Sequence, residues 1–277
     1  MKDFEFGSRT YIMGILNLTP DSFSGDGIYK DIGRAIEEAE RIIEEGADII
    51  DIGGESTRPG SLSVSLEEEM KRVIPAIKQL AKKIKTPISV DTRKSEVALA
   101  ALDNGASMIN DITGLESDQD MVDVARRYNA KVVIMHMQGT PQVMQQNPSY
   151  DNIVEDIVER LSYLVKKAEE GGIKRENIIV DPGIGFGKTV EHNLEILNSL
   201  SYFKKLQRPI LIGPSRKSFI GNVLGVEPKQ RIFGTAASVA LAIKNGADII
   251  RIHDVKEMKQ VAMLSDAILR HKEAVNV

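Results

Sequence analysis

Gly46-Ala47-Asp48-Ile49-Ile50-Asp51 recurs twice in the chain, as Gly105-Ala106-Ser107-Met108-Ile109-Asn110 and as Gly246-Ala247-Asp248-Ile249-Ile250-Arg251. Each copy reads as a helix-ending glycine, a short apolar strand, and a polar residue at the strand's carboxyl end. One αβ unit is therefore repeated. The copies lie 59 and 141 positions apart, spacings that fit two and four units of about 30 to 35 residues. Eight such units fill the chain of 277 residues.

The remaining units fall into the gaps. Tyr11-Ile12-Met13-Gly14-Ile15-Leu16 is apolar enough for a strand buried on both faces; it closes on Asn17 and opens into the turn-rich stretch from Thr19 to Gly27. Further strands are predicted from Pro87 to Val90 ending on Asp91, from Lys131 to Met135 ending on His136, from Ile178 to Val180 ending on Asp181, and from Pro209 to Ile212 ending on Gly213. Helices fit between them. One runs from Ile32 to Glu45 with Ala35, Ile36, Ala39, Ile42 and Ile43 on one face. A second, from Leu66 to Lys83, is announced by Ser65 and Glu68 at capping-box spacing, and a third runs from Ile153 to Glu170. No linker or low-complexity segment interrupts the alternation. Residues 1–277 are thus expected to form one domain, an α/β fold of the (β/α)8 TIM-barrel type with a parallel eight-stranded core; a doubly wound open sheet is the alternative.

Bulk properties narrow the function. With 36 basic and 40 acidic side chains the net charge is -4, which offers no general attraction to nucleic acid or to an anionic membrane. An anion site must be local. The chain has no cysteine, which removes disulfides, thiolate zinc sites and cysteine nucleophiles together. The polar N-terminus lacks a secretory apolar region, and no run approaches the roughly 18 apolar residues of a membrane span. A soluble cytoplasmic protein is expected.

The glycine-rich stretch Asp181-Pro182-Gly183-Ile184-Gly185-Phe186-Gly187-Lys188 fits neither common nucleotide fingerprint. A P-loop ending on Gly187-Lys188-Thr189 needs a glycine where Pro182 stands, and a dinucleotide loop needs one where Lys188 stands. These glycines serve another ligand, or only a turn.

In either fold, ligands collect at the carboxyl ends of the strands. A barrel brings Asn17, Asp51, Asp91, Asn110, His136, Asp181 and Arg251 to one mouth. Taken singly, a polar strand end also suits a turn or cap. Together, buried carboxylates and amides need hydrogen-bond donors. Asp91, Asn110 and Asp181 suit a flat heterocycle whose edge carries N–H groups. Arg58, Lys217, Arg251 and His253 stand opposite as cations and imply an anion. The turn from Gly213 to Ser218 follows the seventh strand, where barrels often bind phosphate. With four histidines and no cysteine, a zinc centre is not expected.

These residues give the chain a clear resemblance to the dihydropteroate synthase family. It is carried by Met13-Gly14-Ile15-Leu16-Asn17-Leu18-Thr19-Pro20-Asp21-Ser22-Phe23, by Gly54-Glu55-Ser56-Thr57-Arg58-Pro59-Gly60, by Asp181 to Lys188, by Ser215-Arg216-Lys217-Ser218-Phe219, and by Arg251-Ile252-His253-Asp254. The resemblance covers nearly the whole chain. It implies a transferase of folate biosynthesis that condenses 4-aminobenzoate with a 7,8-dihydropterin carrying a 6-methyl diphosphate, yields 7,8-dihydropteroate, uses Mg²⁺, works as a homodimer and is a sulfonamide target. Carried over by motif, Asp91, Asn110, Asp181 and Lys217 hold the pterin, while Arg251 covers one face of its ring. Asn17 binds Mg²⁺, and Asn17, Arg251 and His253 receive the diphosphate. Thr57, Arg58, Pro59, Phe186, Lys217 and Ser218 surround the second substrate. Asn17, Lys217, Arg251 and His253 are the implied catalytic set. Ser61-Leu62-Ser63-Val64 and Arg93 depart from the family pattern. A pterin-binding methyltransferase acting with a corrinoid partner is the alternative enzyme, and a silent pterin-binding protein is the alternative class.

Overall fold

Gly46, Gly105 and Gly246 adopt nearly the same left-handed backbone, with φ of 107°, 109° and 102°, in the computed structural model, which describes residues 4–19, 32–56 and 60–270. In each copy the glycine N–H and the following alanine N–H donate back to the last helical turn, and the third residue's N–H crosses to a preceding strand, at Ile12, Ile88 or Ile210. The repeat is thus one structural joint used three times: it ends a helix and sets the register of the next strand.

Among the described residues the strands are β1 (Tyr11–Asn17), β2 (Ile49–Gly53), β3 (Ile88–Asp91), β4 (Met108–Asp111), β5 (Lys131–Met135), β6 (Ile178–Asp181), β7 (Leu211–Ile212) and β8 (Ile249–Ile252). The helices are α1 (Ile32–Glu44), α2 (Leu66–Lys83), α3 (Ser95–Asp103), α4 (Met121–Tyr128), α5 (Ile153–Glu170), α6 (Val190–Asn198), α7 (Ser218–Leu224), α8 (Ile232–Lys244) and α9 (Val255–Leu269). The strands are parallel in the order β6-β5-β4-β3-β2-β1-β8-β7. A bridge between Val180 and Ile210 joins the two outer strands. The sheet is a nearly closed (β/α)8 barrel, not an open doubly wound sheet.

The predicted bounds of α2 and α5 hold. Ser65 accepts the Glu68 N–H at 3.2 Å, but the Glu68 carboxylate goes to Arg72 at 2.9 Å, so only half of the capping box forms. β7 is shorter than the sequence suggests. Pro209 has no N–H to give, and the Ile210 N–H goes to the Asp248 carboxylate at 2.9 Å instead of a ladder.

Strand alternation sorts the side chains into two cores. Met13, Ile49, Met108, Val133, Ile179, Leu211 and Ile249 fill the barrel interior. Ile12, Ile50, Val90, Ile109, Val132, Val180 and Ile250 face the helices. At the barrel's amino end the rings of Phe4, Phe6 and Tyr11 pack edge-on or stacked at 5.0–5.6 Å between centroids. Gly14 is needed for this layering: a Cβ there would collide with Ile42 of α1. Among the described residues no helix is long and apolar enough to cross a membrane.

Candidate active site

Asn17, Asp51, Asp91, Asn110, Asp181, Arg251 and His253 share the inward parity of the interior core, so their side chains continue that column at the barrel's carboxyl end. Register aligns them further. Asn17 is paired with Gly53, Gly53 with Asp91, and Asp91 with Asn110. A Cβ at Gly53 would lie 3.5 Å from the Asp91 Cβ and 3.7 Å from the Asn17 Oδ1. Any longer side chain there would fill the space between them.

His136 belongs elsewhere. It follows Val132 and Ile134 in parity, so it points away from the mouth, where the sequence had it converge with the others. Its Nδ1 lies 3.1 Å from the buried Lys188 Nζ. Burial, and then the Lys188 charge, pull its pKa far down.

Arg251 is the hub. Its Nε donates to Asp51 at 2.6 Å and its Nη2 to Asp91 at 2.7 Å, while Asn110 Nδ2 donates to the same Asp51 oxygen at 3.0 Å. Burial works against the guanidinium charge, but Asp51 and then Asp91 hold its pKa above the ordinary arginine value. Asp91 is pushed up by burial, against the pull of Arg251. The other Asp51 oxygen, Oδ1, is buried with no hydrogen-bond partner, an acceptor whose isolation costs stability.

Asp181 ends β6, and its Oδ1 accepts the Gly183 N–H at 2.7 Å. Burial raises its pKa to about 6, with the Gly183 bond and Lys217 opposing. Burial, helped by Arg251, lowers Lys217 to about 8. Its ammonium sits 4.1 Å from the Phe186 ring centroid, a cation–π contact. Phe186 is itself packed with Met135, Met144 and Ile112. Ser218 is exposed in the first turn of α7.

His253 follows β8. Ser215 Oγ accepts the His253 backbone N–H at 3.2 Å and lies 3.0 Å from the ring Nδ1, so its own proton is free to serve that nitrogen. Burial and then Arg251 lower His253 to about 3. A ring lowered this far favours its neutral form at pH 7, and a Ser215 proton donated to Nδ1 would leave the ring proton on Nε2.

Thr57, Arg58 and Pro59, and the first loop from residue 20 to 31, lie outside the described residues. The stem of the second loop is described. Glu55 pairs with Arg93 at 3.1 Å and Lys94 at 2.6 Å, and Arg72 donates to the Gly54 carbonyl at 2.8 Å. Ser61 Oγ donates to the Ser56 carbonyl at 2.6 Å. Arg93 and Ser61, both departures from the family pattern, thus brace this loop's two ends.

The sequence assigns no role to Asp51, Ser215 or Lys188. Inward parity was a readable signal for Asp51; nothing local marks the other two, because their partners lie 38 and 52 positions away. A cavity of about 470 Å³ opens beside His136, Gln138, Tyr150 and Arg160. Gln138 pairs with the Ser149 backbone, Tyr150 with Gly187 and Arg160 with Glu116. Each of these groups thus has a partner, and the predicted site residues gather at the mouth and not at this cavity.

Residues 13–253 match the family of pterin-binding enzymes. The chain is 47% identical to a dihydropteroate synthase from Synechocystis over 96% of its own length and 93% of the relative's. It superposes with a TM-score of 0.91 on a Clostridium difficile dihydropteroate synthase crystallised in the presence of pteroic acid, with 48% identity and coverage of 96% and 99% of the two chains. A Xanthomonas albilineans dihydropteroate synthase with 4-aminobenzoic acid gives 0.87, 40% identity, and coverage of 94% and 93%. The chain belongs to the pterin-binding enzymes and, within them, to the dihydropteroate synthases.

Proposed function

We propose that this mouth condenses (7,8-dihydropterin-6-yl)methyl diphosphate with 4-aminobenzoate, releasing diphosphate and 7,8-dihydropteroate. The observation that carries this reading is the inward ring of acceptors, Asp91, Asn110 and Asp181, set against the half-buried cations Lys217 and Arg251. The acceptors match the N–H edge of a pterin. Lys217 then serves both substrates, touching the pterin and, with Phe186 and Ser218, bordering the second. Arg251, held in plane by Asp51 and Asp91, covers the pterin face. The relatives are synthases along nearly their whole length, which leaves the methyltransferase alternative unsupported.

Departure of diphosphate places negative charge beside Asn17, Arg251 and His253. Arg251 offers charge, and the neutral His253 offers its Nε2 proton as a hydrogen bond. No protein nucleophile is required. The methylene cation is delocalised into the pterin ring, so bond breaking runs ahead of attack by the aromatic amine in a dissociative, SN1-like step. Among the described residues no group of three or more His, Cys, Asp or Glu side chains could hold a metal. The Asn17 carboxamide oxygen would hold Mg²⁺ together with the diphosphate, since Mg²⁺ is commonly held by few protein ligands plus substrate phosphates. When bound, it neutralises charge on the leaving group. Thr57, Arg58 and Pro59 complete the second-substrate side.

Residues 1–277 act as one domain in this reading, in the cytoplasm, where the cysteine-free composition suits reducing conditions. A homodimer forms through α8 and α9, whose outer faces expose Phe233 (83%), Leu241 (54%), Met263 (63%) and Leu264 (64%). Apolar side chains this exposed on two adjacent helices suit an interface. A Phe233→Glu chain that sediments as the wild type does would count against it.

Titration calorimetry on Asp181→Asn tests the pterin assignment. Losing one charged partner of a buried hydrogen bond costs about 2 to 5 kcal/mol, so affinity for the pterin diphosphate falls by more than tenfold. Unchanged affinity removes Asp181 from the site.

A further inference from the structure

The loop that carries Phe186 is held from behind. Gly183, Gly185 and Gly187 all have positive φ, at 74°, 80° and 64°. The loop they form is pressed between Lys217 and the segment after β5. A Cβ at Gly185 would lie 3.0 Å from the Lys217 side chain, one at Gly187 would lie 2.5 Å from the Gln138 carbonyl, and one at Gly183 would collide with the His136 carbonyl. Such a loop exposes its carbonyls, and each needs a donor.

Those donors come from outside the barrel mouth. Gln145 Nε2 donates to the Gly185 carbonyl and the Tyr150 hydroxyl to the Gly187 carbonyl, each at 2.8 Å. The Phe186 carbonyl is served by Lys188 Nζ at 2.9 Å. The same Lys188 Nζ reaches His136 Nδ1 at 3.1 Å and the His136 carbonyl at 3.5 Å. Lys188 is 3% exposed and His136 7%, so water offers neither a ready substitute. The bland role for a buried lysine is general packing. This one instead directs its hydrogen bonds at the Phe186 carbonyl and at His136, the residue that follows β5.

We infer that Lys188, seated on His136, is a positioning residue for the second substrate: it fixes the backbone of Phe186, and through it the ring that Lys217 covers. The inference rests on the reading that Phe186 borders 4-aminobenzoate. Lys188 touches no reacting atom. Its removal should therefore weaken capture of the amine and leave both the pterin seat and the bond-breaking step in place. The split between KM and kcat separates this role from a general loss of structure.

The test compares Lys188→Met, His136→Leu, His136→Asn and Phe186→Ala at about pH 8, where Asp181 is ionised. Diphosphate release gives kcat and KM for 4-aminobenzoate, calorimetry gives the affinity for the pterin diphosphate, and thermal melting reports folding. Loss of a buried hydrogen bond, which leaves its partner unsatisfied, predicts that Lys188→Met and His136→Leu raise KM for the amine about tenfold, with kcat and pterin affinity close to wild type. Asparagine at position 136 keeps an acceptor near the place of Nδ1 and restores KM. If Lys188→Met does not fold, the His136 pair carries the same comparison. A raised KM in Phe186→Ala with an unchanged KM in Lys188→Met and His136→Leu overturns the inference while leaving the Phe186 reading intact. An unchanged KM in Phe186→Ala removes that reading and the inference with it. Parallel losses of kcat, pterin affinity and melting temperature would mark Lys188 as merely structural.

Discussion

Arg251 and Asp51, at the ends of β8 and β2, meet across the mouth with Nε to Oδ2 at 2.6 Å. Two hundred positions separate them in the chain, and register alone brings them together. The pair does two things: it holds the guanidinium in one plane, and it leaves Asp51 Oδ1 buried and unpaired. The guanidinium is thereby preorganised, and the isolated acceptor lowers stability.

Removing the charge from Asp51 leaves Arg251 with Asp91 as its single carboxylate. Breaking a buried pair commonly costs about 3 to 5 kcal/mol, and the second partner places this case near the lower end. Asp51→Asn should therefore unfold in urea with stability reduced by about 3 kcal/mol and with weakened pterin binding. Wild-type stability together with wild-type binding would show that Arg251 does not depend on Asp51.

The Asp181 carboxyl, raised by burial to about 6, binds its proton more tightly in the folded chain than in the unfolded one, where about 3.9 is usual. Its contribution to the stability of the free protein is present below about pH 4 and is lost as pH rises through about 6. Pterin binding needs the ionised carboxylate and has the opposite dependence. Affinity measured by calorimetry should be level between about pH 7 and the range near 8 where Lys217 loses its proton, and fall about tenfold per unit below pH 6. Affinity that is level down to pH 4.5 would contradict this assignment.

His253 is neutral across the working range because burial and Arg251 hold it at about 3. The imidazole NMR signals of this residue should not titrate between pH 5 and 8, and the rate should show no limb near the ordinary histidine value of about 6.5. Ser215→Ala removes the hydroxyl that engages the Nδ1 lone pair and so keeps the ring proton on Nε2. It should lower kcat by about tenfold, the value of one hydrogen bond to developing charge. A His253 titration near 6.5 in the wild type would overturn the neutral-donor role.

Much of this was legible from the chain alone, for reasons that differ by residue. The repeated glycine joint at Gly46, Gly105 and Gly246 is local chemistry, so it announces the barrel directly. Asn17, Asp91, Asn110, Asp181 and Arg251 are readable as strand ends, since parity follows from counting. His136 misleads because it too ends an apolar run, yet it lies one residue beyond the inward position. β7 reads too long because the Ile210 N–H is taken by a side chain 38 residues away. The exposed face of α8 was hidden for another reason: Ile232 to Lys244 is apolar almost all round, so no stripe distinguishes the side that meets the barrel from the side that does not.

The central claim is that this mouth breaks the pterin–diphosphate bond and delivers the methylene to an aromatic amine. Diphosphate release from (7,8-dihydropterin-6-yl)methyl diphosphate, followed with Mg²⁺ and a series of 4-aminobenzoate analogues of graded nucleophilicity, tests it most directly when the pteridine product is identified. Amine-dependent formation of dihydropteroate, at a saturated rate that changes little along the series, is the predicted result. Pterin binding without release in any condition would contradict the synthase reading, and a saturated rate that climbs steeply with nucleophilicity would contradict the dissociative step.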